Sequence, residues 1–144
     1  MGWKTVLTIA TLLLLSTTGC SYLFYPHAKE FTAKAQGATA VETLINLTTM
    51  AETSASAAKG GKGVDQSFDD LHNQFHAIDD GMCLVEKSVR AQPAYALAVT
   101  HNKELKTIFK RLWKFKYDQP QRDQHLDLFA SELQEMRQTL QNLR

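Results

Sequence analysis

FDDLHNQFHAIDDGMCLVEKSV, residues 68–89, places its larger apolar side chains at Phe68, Leu71, Phe75, Ile78, Met82, Val85 and Val89. The intervals alternate between three and four. An α-helix turns once every 3.6 residues, so this alternation gathers all seven on one stripe, whereas a strand would need every second position. One face then meets a core and the other meets water.

Three further segments repeat the pattern. Val41, Leu44, Thr48, Ala51, Ala55 and Ala58 precede it; Ala94, Ala98, His101, Leu105, Ile108, Leu112 and Phe115 follow; Leu126, Phe129, Leu133, Met136, Leu140 and Leu143 close the chain. The separators agree with the periodicity. Gly60-Gly61-Lys62-Gly63 is a flexible loop, Gln92-Pro93 starts a helix, and Asp118-Gln119-Pro120 separates the last two. The expected helices cover about 38–59, 65–91, 93–117 and 121–143, roughly 33 to 40 Å each. Similar lengths and short loops predict an all-α, up-down-up-down four-helix bundle. The second segment carries Asp65, Asp69, Asp70, Asp79 and Asp80, and the third ends with Lys103, Lys106, Lys110, Arg111, Lys114 and Lys116. Folding back at Pro93 would set acids beside bases and suit both helix dipoles. The first segment has the smallest side chains on its seam, so it is expected to be the helix that moves or exchanges for a partner.

Ahead of the body stands MGWKTVLTIATLLLLSTTGC, residues 1–20. One cation, an apolar run from Val6 to Leu15 and small polar residues make the three regions of a secretory signal. The run is too short to span a bilayer, which takes roughly 20 residues. Val6 stands where an N-myristoylation motif needs Ser or Thr. Gly19-Cys20 resembles the lipobox of bacterial lipoproteins and departs from it at Thr17, where an aliphatic residue is usual. The resemblance implies cleavage after residue 19 and a diacylated thiol and acylated amine (palmitate or similar) on Cys20. Ser21 is similar to signals for outer-membrane sorting. Two or three acyl chains make an effectively permanent anchor. Residues 1–19 are thus expected as a cleaved signal, residues 20–37 as lipidated cysteine and juxtamembrane tether, and residues 38–144 as the helical domain. Tyr22, Phe24 and Tyr25 suit either the membrane–water interface or packing on the domain.

The whole chain has 144 residues, a formal charge of +1, 44% hydrophobic and 22% charged residues. That balance suits one small globular domain and gives no basis for nucleic-acid binding. Cys20 and Cys83 are the two cysteines, so a disulfide framework is not expected, and Cys83 is read as a small buried hydrophobe.

KTIFKRLWKFKY, residues 106–117, interleaves cations with aromatics. Phe109 and Trp113 lie off the main seam, which calls for a wider buried face or a partner. Phe109, Lys110, Trp113, Lys114 and Tyr117 are therefore the expected partner-binding residues, together with the first helix. His72 and His76 are one turn apart with Asp69 and Asp80 nearby. Such a pair can ligate one divalent transition metal, with carboxylates adding to the shell. DLHNQFH loosely resembles the HxxxH helix of periplasmic metal-sensing helical proteins. Paired Glu-x-x-His motifs, C-x-x-C-H, a phosphate loop and a nucleophile elbow are absent. No enzyme and no cofactor are expected. The functional expectation is a lipoprotein on the periplasmic side of the outer membrane, binding another envelope protein as an adaptor or assembly factor. Pilotins share that combination of anchor and small helical body, and an exclusion-type role fits equally. The alternative is a metal-binding or metal-sensing periplasmic protein using His72 and His76. Oligomeric state is left open by the sequence.

Overall fold

Six of the seven stripe residues that open the sequence reading are buried in the computed structural model, which describes residues 26–61 and 63–143. Its helices are α1 (Pro26–Lys34), α2 (Ala40–Lys59), α3 (Val64–Leu84), α4 (Lys87–Arg90), α5 (Pro93–Lys114) and α6 (Gln119–Gln141). The described part is all-α, without strands. No described helix is long and apolar enough to cross a membrane. The expected signal peptide and Cys20 lie outside the described residues.

Local chemistry explains the helix starts. The Thr39 hydroxyl accepts the Glu42 amide at 3.1 Å, capping α2, while the Glu42 carboxylate reaches back to accept the amide of Ala38, one residue before the cap, at 2.7 Å. Gly63 precedes α3 at φ +64°, a left-handed backbone that a side chain disfavours. Pro93 opens α5, and the Asp118 carboxylate accepts the Gln121 amide ahead of α6.

Two expected boundaries change. The helix expected over 65–91 stops at Leu84, because Val85 turns extended (φ −63°, ψ 137°). That turn keeps the Val85 side chain in the core while the chain reorients toward Pro93, with α4 filling the corner. Residues expected within a tether form α1 instead. Its Ala28 (0% exposed) is buried, as is Ala35 just beyond its end, and the helix lies against α3.

Named contacts place the long helices. Gln74 of α3 donates to Ser54 of α2 at 3.0 Å, and Leu44 of α2 comes so near Gly81 that a Cβ there would stand 2.8 Å from its Cδ2. Lys59 pairs with Asp127 at 2.6 Å and Arg137 with Glu52, joining α2 to α6 at two levels. His101 meets Glu132 at 2.7 Å between α5 and α6. The helix expected to be loosest, α2, is held on two sides by α3 and α6. Its Leu44, Leu47, Thr48, Ala51, Ala55 and Ala58 are buried, since small side chains let neighbours approach closely. Its seam faces the core. Of the neighbouring pairs of long helices, α3 and α5 touch least.

Candidate functional site: a groove between α3 and α5

Helices α3 and α5 are tied at their ends and stand apart between. At one end the Tyr95 hydroxyl donates to the Met82 carbonyl at 2.8 Å, satisfying an acceptor of the last turn of α3. Nearby, the Asn102 amide donates to the Asp79 carboxylate, also at 2.8 Å. At the other end Lys116 pairs with Asp65 at 2.6 Å, and the Tyr117 hydroxyl donates to the same carboxylate at 2.8 Å. Between these ties lies an open groove of about 330 Å³, lined by His72, Phe75 and His76 of α3 and by Lys106, Phe109, Lys110 and Trp113 of α5.

Aromatic rings form its floor. Phe75 and Phe109 stack with centroids 5.8 Å apart and planes 10° from parallel. Phe109 also meets Phe129 of α6 at 6.0 Å, which anchors the floor to the core. Trp113 stands over Phe68 at 6.0 Å and His72 at 5.4 Å, yet remains 43% exposed. Burial is why the groove stays uncharged at its centre. It pushes the His72 imidazole below its ordinary value, with Asp69 pulling partly back. His76 is pushed down to about 4, first by burial, then by His72 4.9 Å away, against an opposing pull from Asp79.

The structure sorts the sequence-predicted residues. Phe109, Lys110 and Trp113 line the groove. Tyr117, 78% exposed, sits at its end over Asp65, and the Lys114 ammonium lies 5.2 Å from the Phe115 ring, beyond the groove. His72 and His76 join the same groove, bringing two separately expected sites into one place. The metal set does not converge. Asp69 instead borders a polar recess with His27, Glu30 and Lys34 of α1, and Asp80 is half-buried. Among the described residues, three possible ligand atoms come within 4.8 Å of one another in one group alone, His101, Glu132 and Glu135.

Two further expectations fare differently. Acids of α3 were expected beside bases of α5, and of these Asp65 meets Lys116 just past the end of α5, while Asp79 meets the uncharged Asn102. The stacked rings of Phe75 and Phe109 stand between the helices, and Asp69 and Asp70 turn toward α1. Cys83 is exposed, not buried, because it falls one position past the α3 stripe. Phe75 and Lys106 were not singled out from sequence. Phe75 reads there as one more core residue, and Lys106 as one of a run of cations.

No family model, curated protein or solved structure matches the chain.

Proposed function

We propose that this protein is a lipid-anchored, non-enzymatic adaptor or assembly factor on the periplasmic side of the bacterial outer membrane. In this reading Cys20 carries the acyl chains, the four long helices form an up-down-up-down bundle, and the α3–α5 groove receives a segment of another envelope protein. The bundle is supported by the contacts at matched levels: Ser54 with Gln74, Met82 with Tyr95, His101 with Glu132, and Lys59 with Asp127. The anchor is supported by the lipobox-like Gly19-Cys20.

One observation carries the binding role: a large aromatic side chain, Trp113, stands exposed at the lip of a groove whose floor is already packed. Tryptophan is among the residues that carry most energy in protein interfaces once a partner covers it, and a groove between helices accepts an amphipathic segment. The metal alternative has less support, since the one group of three converging ligand atoms among the described residues is His101, Glu132 and Glu135 and includes neither His72 nor His76.

The test is a photoreactive residue placed at Lys110 in the groove and, as control, at Ser131 on the exposed side of α6. Irradiation of intact envelopes is expected to give a discrete protein adduct from position 110 and none from 131. Equal adducts from both positions, or none from either, would overturn the adaptor. Mass spectrometry of the mature amino terminus checks the anchor independently, with an unmodified thiol at Cys20 as the contrary result.

A further inference from the structure

Lys103, Lys106, Lys110 and Lys114 follow one another at intervals of three, four and four along α5, so they form a single exposed row about 16 Å long. Among the described residues none of the four is in an ion pair. The acids that should answer them are engaged elsewhere: Asp65 by Lys116 and Tyr117, Asp79 by Asn102, Asp70 by Gln66. Like charges three and four apart on one helix repel each other. Two of the four, Lys106 and Lys110, are also walls of the aromatic groove.

Building on the adaptor reading, we infer that the groove takes an amphipathic helix of a partner protein whose apolar stripe is flanked by carboxylates on the edge that meets α5. The apolar side chains of that helix cover Trp113 and the Phe75–Phe109 floor, and its acids lie along the lysine row. The spacing selects a helix over an anionic lipid. Four cations at helical intervals match carboxylates repeated every three or four residues, whereas a lipid headgroup concentrates its charge at one point. The edge formed by α3 makes the recognition directional. It offers the neutral imidazoles of His72 and His76 and carries no lysine, so a partner with acids on both flanks gains nothing there.

The probe is a synthetic helical peptide with leucine and phenylalanine on one stripe and glutamate along one flank, titrated calorimetrically into the full chain. A sign-reversed peptide with lysine for glutamate and vesicles of phosphatidylglycerol are the comparisons. The acidic peptide is expected to bind at least about tenfold more tightly than its sign-reversed twin, with an affinity that falls as salt rises. The double substitution Lys106→Glu, Lys110→Glu changes two exposed side chains and is expected to reverse the preference with an unchanged circular dichroism spectrum. Equal binding of the two peptides, binding of neither, or lysine-dependent binding of the vesicles alone would overturn the inference. An adduct from position 110 without any preference for the acidic peptide would remove this inference and leave the adaptor standing.

Discussion

Lys116 holds its ammonium 2.6 Å from the Asp65 carboxylate while lying over three rings, Trp113 at 5.0 Å and Phe68 and Tyr117 at 5.4 Å. The lysine side chain is 12% exposed and the aspartate 71%, so the pair is a half-covered cation reaching out to a solvated acid. Burial opposes the Lys116 charge, yet the Asp65 hydrogen bond and charge outweigh it and raise its pKa; Lys116 and Tyr117 in turn lower that of Asp65.

Replacing Lys116 with Met keeps most of the hydrocarbon contact and removes the cation. The expected loss is about 1 kcal/mol of unfolding free energy, the scale of a partly covered cation–π contact. Asp65→Asn should cost less, because its carboxylate is already in water. Denaturant midpoints decide it, and a Lys116→Met chain as stable as the parent would show that the rings alone close this end of the groove.

Acid should weaken the fold in two separate steps. His72 and His76 are depressed in the folded chain, so between the unfolded value of 6.5 and the folded value of about 4 for His76 the unfolded state binds more protons. The stability these neutral imidazoles contribute is whole above pH 6.5 and is lost as pH falls toward 4. Asp65 contributes above its ordinary 3.8 and loses its share only below that. Urea midpoints between pH 7.5 and 4.5 should decline, and the slope should flatten in a His72→Gln, His76→Gln chain. An identical slope in parent and variant would assign the acid sensitivity to other groups.

Tyr95→Phe removes one hydroxyl and leaves a carbonyl of the last turn of α3 without its donor. The expected cost is about 1 kcal/mol, the ordinary net worth of such a bond. Amide exchange should quicken near Met82 and Leu84 more than in α6. Uniform acceleration across all helices would mean that the bond contributes to global stability alone.

Cys83 should react with a thiol reagent in the folded chain without denaturant, since its side chain is at the surface. Cys83→Ser should change stability by less than about 0.5 kcal/mol, as exposed substitutions do. Protection of the thiol until the chain unfolds would contradict its exposed position.

Much of the architecture was legible from spacing alone. Leu126, Phe129, Leu133, Met136, Leu140 and Leu143 were read from periodicity, and all six are buried. The break at Val85 was not legible, because a β-branched residue on the correct stripe reads as more helix; only its backbone angles reveal the turn. Residues 26–34 carry too short a pattern to distinguish a packed helix from a connector, and Ala28 and Ala35 show their burial only once α3 lies beside them. For the site, charge and aromatic composition pointed to Phe109, Lys110 and Trp113. Linking them with His72 and His76 required knowing where α3 and α5 part, which is a property of packing between helices and is not written in either one.

The close fit of Gly81 beneath Leu44 lies on the side of α3 away from the lysine row. The flank that borders the groove and the flank that fits closely against α2 thus lie on different sides of one rod. Substitutions at the exposed Lys106 or Lys110 can accumulate over generations with little toll on folding, so the charge of this face can drift while the scaffold persists.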